Sequence, residues 1–416
     1  MLVHWIWLAH RPGVSDRMKA QLLRHFSDPE DIYFADSGAF SHVEGMTKEA
    51  AQSLRDKDLA ASEKILADVM KYRLHVLTYR DVGYPRRLQH IPDPPLVLYY
   101  KGTLPDFDDS PVIGVVGTRK CTPYGLSAAK KFGHEIASCG GILVSGLAEG
   151  IDAMAMKSAL SAGGTVVGIL GTGAEEIYPK CNRWLFADTE RYGCILSEFP
   201  PETPPYGWNF PKRNRIISGL SCGVLVVEAP EKSGSLHTAR HALEQGRDVF
   251  VVPGNLDQPT FAGSINLLKE GATLVSSGWD ILSEYETRFP GKVRKDIKAS
   301  RQRSYADEIP TESPKPVPKV AQKTRLPRLK PAQKEKSNKL DVDKSGSPNY
   351  SDVNKNLSAL TPDQQLILKA LESGERLVDE VIAEVQLPAG RVSSALTMLA
   401  IKGYVKKLPG NRVRRN

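Results

Sequence analysis

Glycine-containing turns follow short apolar runs four times between Val112 and Pro253, and no recognisable catalytic set accompanies them. The first turn, Gly117-Thr118-Arg119-Lys120, leaves the apolar run 112–116 and precedes a helix predicted to begin near Pro123. In a doubly wound sheet, a turn at the carboxyl end of a strand presents backbone N–H groups and a helix N-terminus, where an anion can bind. Arg119 adds a guanidinium, which suits phosphate recognition. The pattern therefore favours anion binding over catalysis.

Six apolar runs must position these turns. They are short, rich in β-branched residues and mostly separated by helical stretches, and they lie at Val112–Val116, Ile142–Val144, Thr165–Leu170, Cys194–Leu196, Val224–Val227 and Val249–Val252. Their apolarity is continuous instead of alternating, which indicates strands covered on both faces and hence a parallel sheet. We therefore predict an α/β fold with a Rossmann-like parallel sheet core. The G-x-G-x-x-G pattern is absent after the first strand, so ordinary NAD binding is not supported.

Four basic residues lie in or beside loops that we expect to converge at one edge of this sheet: Arg119, Lys180, Arg213 and Arg215. Single-stranded nucleic acid needs a cationic groove for its phosphates and exposed surfaces for its bases. The same four residues could instead cap helices or form surface salt bridges. Asn214 could equally be a turn residue, a cap residue or a ligand.

Other residues that could be catalytic or bind a metal are better explained by structural roles. Asp152 lies near a predicted helix start, where it can hold free N–H groups. His237 and His241 are four residues apart, but no Glu lies between them in the zincin position, so they are expected to share a helix face. The five cysteines include no C-x-x-C pair, which argues against a zinc site or a disulfide framework. We predict no metal and no cofactor.

Residues 1–75 are predicted to form a helical domain. The segments Gly13–Phe26 and His42–Leu54 each begin with a turn and continue with apolar residues at helical spacing. Two such units resemble helix-hairpin-helix or sterile-alpha-motif (SAM) bundles. Hairpin turns of this kind can bind the DNA backbone, but packing or protein contact is at least as good an interpretation.

Residues 288–355 are predicted to be a basic, disordered linker between the core at 76–287 and a C-terminal domain at 356–416. Between Tyr285 and Lys355 there are 18 Lys or Arg against 9 Asp or Glu, among many prolines and few large apolar residues. This charge could serve solubility or add non-specific affinity for nucleic acid.

The C-terminal domain has the pattern of a winged helix. Helices are predicted from Leu360, around Val378–Val385 and from Pro388, followed by a small wing. Basic residues that could meet phosphates are Lys402, Lys406, Lys407, Arg412, Arg414 and Arg415, and candidates for base contact are Ser393, Ser394 and Thr397. Winged helices also mediate protein contacts, so both roles stay open.

Length and composition fit a soluble, multidomain globular protein. The chain has 416 residues, of which 41% are hydrophobic and 25% charged, and two to four domains are expected. No apolar run approaches the ~20 residues that a membrane span requires. The apolar segment Met1–Trp7 lacks a basic n-region and a cleavage site, so it does not resemble a signal peptide. We expect a cytoplasmic protein without membrane contact.

Six ordered motifs resemble the DNA-processing protein A (DprA/Smf) family across roughly residues 80 to 285. They are Val116-Gly117-Thr118-Arg119, Ser145-Gly146-Leu147-Ala148-Glu149-Gly150-Ile151-Asp152, Gly171-Thr172-Gly173 with Ile177-Tyr178-Pro179-Lys180, Phe210-Pro211-Lys212-Arg213-Asn214-Arg215 continuing to Leu220, Ser233-Gly234-Ser235 with Thr238-Ala239, and Val252-Pro253-Gly254-Asn255. A helical N-terminus and a C-terminal winged helix also occur in this family.

The resemblance implies a protein that binds single-stranded DNA and loads the RecA recombinase during natural transformation and recombination. It implies that Gly117, Thr118, Arg119 and Lys180 belong to the DNA pocket, with Arg213 and Arg215 beside it. Asn214, which lies between these two arginines, is a further candidate for DNA binding. The expected partners are single-stranded DNA, RecA, single-strand-binding protein and a second copy of the chain in a homodimer. No enzymatic activity is expected.

Two enzyme classes compete with this interpretation. Phosphoribohydrolases share a similar sheet but carry a PGGxGTxxE motif, whereas this chain has Glu228-Ala229-Pro230-Glu231-Lys232-Ser233-Gly234-Ser235 at the comparable place. A nuclease needs clustered carboxylates that hold metal ions. The candidate carboxylates follow different strands or helices and are Glu149, Asp152, Glu198 and Glu228.

Overall fold

The computed structural model describes residues 1–36, 38–295 and most of 361–415. The chain divides into two compact units, Met1–Pro316 and Val317–Asn416. The linker predicted for 288–355 lies almost entirely outside the described residues, as do Ser393, Ser394, Thr397 and Lys402.

A nine-stranded sheet forms the centre of the first unit. Its strands are β1 (His75–Thr78), β2 (Val97–Gly102), β3 (Val112–Val116), β4 (Ile142–Ser145), β5 (Val166–Ile169), β6 (Cys194–Ser197), β7 (Gly223–Val226), β8 (Asp248–Val251) and β9 (Thr273–Leu274). Their order is β1-β2-β6-β5-β4-β3-β7-β8-β9. The seven strands from β6 to β9 in this order pair in parallel, whereas β2 pairs antiparallel with both β1 and β6.

The parallel α/β core predicted from the apolar runs is confirmed, and all six predicted strands are present. Strands β1, β2 and β9 were not predicted from the sequence. The first residues of β1 are exposed or half-buried, and both residues of β9 are exposed. β1 and β9 are the edge strands of this sheet, and edge strands are covered incompletely, so these two lack the continuous apolarity of the central strands.

Thirteen helices surround the sheet in the described part of the first unit. They are α1 (Leu2–Ala9), α2 (Asp16–His25), α3 (Pro29–Phe34), α4 (Lys48–Arg55), α5 (Ala60–Lys71), α6 (Arg86–Gln89), α7 (Pro123–Ser138), α8 (Ile151–Ser161), α9 (Arg183–Tyr192), α10 (Asn209–Leu220), α11 (Ser235–Glu244), α12 (Ala262–Lys269) and α13 (Gly278–Leu282). Short 3-10 turns lie at Ala39–His42, Lys180–Asn182, Pro259–Phe261 and Ser283–Tyr285.

Apolar side chains cover both faces of the sheet. Helices α7, α8, α9 and α13 pack on one face, where Phe132 and Ile136 of α7 meet Ile113 of β3 in the same core. Helices α6, α10, α11 and α12 cover the other face through residues such as Ile216 and Leu220. Burial of each such side chain contributes about 1.5–3 kcal/mol, so the central strands form a rigid base for the loops at their ends.

The predicted N-terminal helical segment packs against the antiparallel side of the sheet. Trp7, Leu22 and Leu54 share a core with Val97 and Tyr99 of β2. Ser15 and Thr47 accept hydrogen bonds from backbone N–H groups at the starts of α2 and α4, as the predicted helix starts require. The helical segment therefore belongs to the same compact unit as the sheet.

The second unit has the predicted winged-helix architecture. Its elements are α14 (Pro362–Ala370), β10 (Arg376–Leu377), α15 (Val378–Val385), β11 (Val405–Leu408) and β12 (Arg412–Arg415), with described helical residues between 392 and 400. The strands form an antiparallel sheet in the order β10-β12-β11. Ile367, Leu396 and Val413 lie in its core.

Two of the cations predicted to meet phosphates in this unit form ion pairs. Arg412 lies 3.2 Å from Glu375, and Arg415 lies 3.2 Å from Glu372. Exposed pairs of this kind contribute little stability. Among the described helices of the whole chain, none has both the length and the apolarity needed to span a membrane.

Candidate nucleic-acid interface

The first glycine turn is held at the carboxyl end of β3. The N–H of Thr118 donates to the carbonyl of Glu228 at 2.8 Å, which ties the turn to the segment after β7. A Cβ at Gly117 would lie 2.6 Å from the side chain of Ile151, so α8 packs directly against this position. The side chain of Arg119 is exposed. The turn is thus fixed by its backbone while its guanidinium faces solvent.

Glu228 caps the helix that follows this turn. Its carboxylate accepts hydrogen bonds from the N–H and the Oγ1 of Thr122, both at 3.0 Å, at the start of α7. The Glu228 side chain is fully buried. Negative charge at a helix N-terminus is favourable, so this carboxylate has a structural function.

The second glycine turn, after β4, depends on Asp152. Its carboxylate accepts a hydrogen bond from the N–H of Gly146 at 3.1 Å, in agreement with the predicted structural role. Burial raises the pKa of Asp152, an effect that Arg213 and the hydrogen bonds to the turn oppose. Gly150 has φ 79°, and a Cβ there would lie 2.6 Å from the carbonyl oxygens of Thr118 and Arg119. Only glycine lets the two turns approach this closely.

A cleft of about 470 Å³ opens between these turns and the N-termini of α10 and α11. Its lining combines backbone, hydroxyl, cationic and aromatic groups from Gly117, Thr118, Arg119, Lys120, Ala148, Asp152, Phe210, Arg213, Asn214, Lys232, Ser233, Gly234, Ser235 and Thr238, among others. A smaller recess of about 50 Å³ shares Arg119, Ala148, Phe210 and Arg213 and is also lined by Glu149, Tyr178 and Pro179. The two spaces therefore meet at these shared residues.

Arg119 and Phe210 form the junction of the cleft and the recess. The guanidinium carbon of Arg119 lies 5.7 Å from the centre of the Phe210 ring, within the range of a cation–π interaction. The ring of Tyr178 lies 5.5 Å from that of Phe210. A cation and two aromatic rings are thus presented together at the carboxyl edge of the sheet.

Arg213 lines the cleft but uses its guanidinium inside the protein. It donates to the carbonyl of Gly146 at 3.0 Å and to the carbonyl of Ile169. Burial lowers the pKa of Arg213 to about 10, although Asp152 opposes this shift. The group stays charged at neutral pH and joins the loops after β4 and β5. Adjacent Asn214 donates to the carbonyl of Gly234 at 3.3 Å and also lines the cleft.

Arg215 faces away from the cleft. Its guanidinium lies 2.6 Å from Glu198, 3.0 Å from Asp93 and 3.6 Å from Asp16. Burial alone lowers the pKa of Arg215, but these carboxylates outweigh it and raise the value. Residues two apart on a helix are separated by about 200° around its axis, so Arg213 and Arg215 cannot face one pocket. The structure does not bring Arg215 to the predicted site.

Two family models match the chain. Residues 75–286 match DNA recombination-mediator protein A, and residues 354–411 match the DprA winged helix domain. The protein Smf of Synechocystis sp. is 33% identical over 422 residues, which cover 99% of this chain and 98% of Smf. The chain belongs to the DNA recombination-mediator protein A family.

Further relatives agree with this assignment. The DNA processing protein DprA of Bacillus subtilis is 44% identical over 225 residues, covering 54% of this chain and 76% of that protein. The crystal structure of DNA processing protein A from Streptococcus pneumoniae superposes with a TM-score of 0.59 at 34% identity, covering 68% of this chain and 98% of that chain. The resemblance recognised in the six motifs is therefore confirmed.

The structure gathers most of the predicted site residues in this member of the DNA recombination-mediator protein A family. Gly117, Thr118, Arg119, Arg213 and Asn214 all line the cleft. Lys180 is exposed directly after Pro179, which lines the recess, but it is outside the lining of either space.

Several lining residues were not among the predicted site residues, most clearly the aromatic ones. Tyr178 and Phe210 lie within the recognised motifs, next to basic residues, and this alternation of aromatic and basic residues was the available signal. Lys120 and Lys232 were also missed, although both are exposed and line the cleft. Among the described residues, no group of three or more His, Cys, Asp or Glu side chains is arranged to hold a metal ion.

Proposed function

We propose that this protein binds single-stranded DNA in the cleft at the carboxyl edge of the sheet and loads RecA onto it during natural transformation and recombination. The observation that carries the proposal is the exposed Arg119 guanidinium beside the ring of Phe210, at the meeting point of the cleft and the recess. The family description, recombination mediator, supports a role in DNA recombination.

The chemistry of the cleft suits an unpaired strand. Arg119, Lys120 and Lys232 supply positive charge for phosphates, and the helix N-termini beside them favour anions. Phe210 and Tyr178 offer ring faces on which any base can stack. A duplex hides its base faces, so it gains the electrostatic part of this interaction but little of the stacking.

We infer that the protein acts by binding and not by catalysis. Three carboxylates that a nuclease or nucleotide hydrolase would use have structural partners: Glu228 caps α7, Asp152 holds the second turn, and Glu198 pairs with Arg215. A nuclease requires carboxylates that are available to hold metal ions. The inference is that DNA and mononucleotides stay intact when magnesium is added.

The flanking segments have supporting functions in this proposal. We infer that residues 288–355 act as a basic tether, that residues 1–75 form a helical module packed on the core at 76–287, that residues 356–416 form a separate module, and that the protein works in the cytoplasm. Homodimerisation and exchange with single-strand-binding protein belong to the same proposal. A tethered basic segment raises the effective concentration of positive charge near a bound strand.

An equilibrium titration of the full chain tests the substrate class. Single-stranded DNA, blunt duplex of equal length and a mononucleotide are compared at two salt concentrations. We expect the single strand to bind most tightly and its affinity to fall with salt. Equal affinity for strand and duplex, or tight binding of the mononucleotide alone, contradicts the proposal. Assembly of RecA on strands covered with single-strand-binding protein then tests loading.

A further inference from the structure

Two large aromatic rings are stacked on one another at the surface. The side chain of Trp208 is 71% exposed and that of Tyr206 is 47% exposed. Their ring centres are 4.7 Å apart and their planes differ by 8°. Aromatic side chains each bury 150–250 Å² where they pack inside proteins, so an exposed stack of two leaves unusual apolar area available to a ligand.

This aromatic stack, Tyr206 with Trp208, lies at the same edge of the sheet as the cleft. Trp208 immediately precedes α10, and Phe210 on the first turn of that helix lines the cleft. Asn209, between them, donates its side-chain amide to the carbonyl of Gly171 at 3.0 Å, just after β5. A DNA strand that leaves the cleft past Phe210 therefore meets the aromatic stack next, because Trp208 is only two positions from Phe210 in the chain.

The loop that carries the stack is anchored at both ends. Glu202 accepts hydrogen bonds from Lys71 at 2.8 Å, Tyr72 at 2.9 Å and Lys64 at 3.2 Å. At the other end, the side-chain amide of Asn209 donates to the carbonyl of Gly171 at 3.0 Å. A surface that is ordered before binding loses less conformational entropy when a ligand arrives.

The chemistry of the stack selects bases over phosphates. Tyr206 and Trp208 are uncharged, and the nearby Lys64 and Lys71 are paired with Glu202. Two parallel, uncharged rings offer a flat surface on which a nucleobase can stack. Every base has such a flat face, so this contact does not depend on sequence.

We propose that the aromatic stack is a second subsite, on which bases of single-stranded DNA stack after the strand leaves the cleft. The inference rests on the proposed function and extends it by assigning base contacts outside the cleft. The platform adds affinity for strands long enough to reach it and is tolerant of sequence.

The test uses full-length variants and two lengths of oligothymidylate, about 6 and about 20 nucleotides, because single-strand sites commonly span ~4–16 nucleotides. We expect Trp208→Ala to weaken binding of the long strand about five- to a hundredfold and to leave the short strand unchanged. Trp208→Phe retains a ring and should restore most of the affinity. Phe34→Ala removes another exposed aromatic ring, 69% exposed, and serves as the matched control.

Two further readouts identify stacking as the cause. The salt dependence of binding should be unchanged in Trp208→Ala, because no charge is removed. A long strand with abasic sites beyond the cleft should bind wild type and Trp208→Ala equally.

The outcomes separate this subsite from the cleft. If Arg119→Ala weakens binding of both the short and the long strand while Trp208→Ala binds the long strand like wild type, the second subsite is wrong. The proposal that the cleft binds DNA is then unaffected. If Trp208→Ala impairs RecA assembly without changing DNA affinity, the stack contacts protein and the proposal is overturned. If neither variant changes affinity, the proposed DNA-binding edge itself is wrong.

Discussion

Arg119 and Arg215 both lie in motifs that identify the family, yet their environments are opposite. Arg119 is exposed on a turn, beside the ring of Phe210. Arg215 is 2% exposed and surrounded by the carboxylates of Asp16, Asp93 and Glu198. The comparison shows that a guanidinium becomes a candidate for binding or for structure through its partners and its access to solvent, not through its residue type or its motif.

Removing Arg215 should have the largest effect, and the effect should be on folding. Arg215→Ala leaves the buried carboxylate of Glu198 without its closest cation, which costs about 3–5 kcal/mol. Urea unfolding should show this loss, while DNA affinity of the folded protein stays near wild type. Lys212→Ala is the control, since Lys212 contacts Asp16 at 2.7 Å but is 43% exposed. A loss below about 1 kcal/mol for Arg215→Ala contradicts the structural assignment.

Removing Arg119 should give the opposite result. Arg119→Ala should weaken single-strand binding by about 1.5–3 kcal/mol, roughly ten- to a hundredfold, with unchanged unfolding. The slope of log affinity against log salt should become shallower by about one contact. Lys130→Ala removes another exposed cation, on α7, and should bind normally. If the Arg119→Ala protein folds and binds single-stranded DNA with wild-type affinity, the cleft is not the DNA-binding site.

A change at Gly150 should affect both stability and binding. Gly150→Ala places a side chain at φ 79° and within 2.6 Å of the carbonyls of Thr118 and Arg119. We expect a loss of about 2 kcal/mol in unfolding free energy and weaker DNA binding as the first turn is displaced. Gly38→Ala is the matched control because nothing lies within 4 Å of its Cβ position. If Gly150→Ala binds DNA normally, the prediction is wrong, and the function of Arg119 does not depend on the exact geometry of the first turn.

The smallest expected effect is a pH dependence of folding stability that arises from His10, close to the charged groups around Arg215. His10, which contacts the hydroxyl of Tyr99 at 2.8 Å, has its pKa lowered to about 3 by burial and by Lys19 and Lys212. The unfolded chain binds a proton near pH 6.5 and the folded chain does not, so stability falls as pH drops below that value. Between about pH 7.5 and about pH 5.5, wild type should lose about 1 kcal/mol more than His10→Gln. Equal losses in the two proteins contradict this assignment.

The sequence alone determined six strands of the sheet and the glycine turns that follow them. Six continuous apolar runs predicted the central strands because strands covered on both faces cannot contain exposed polar positions. Gly117 marked the turn after the first predicted strand, and the six motifs identified the family. These signals are local, so they can be recognised before any tertiary contact is known.

Only the tertiary structure decided which charged residues face the cleft. Arg213 and Arg215 are both basic and belong to one motif, but their directions depend on the helical turn between them and on Asp16, which lies about 200 residues earlier in the chain. Strand β2 was also missed, and it pairs antiparallel with β1 and with β6, which is far along the sequence. The burial of a side chain and its ion-pair partners depend on residues that are distant in sequence. Composition and local spacing therefore cannot predict them.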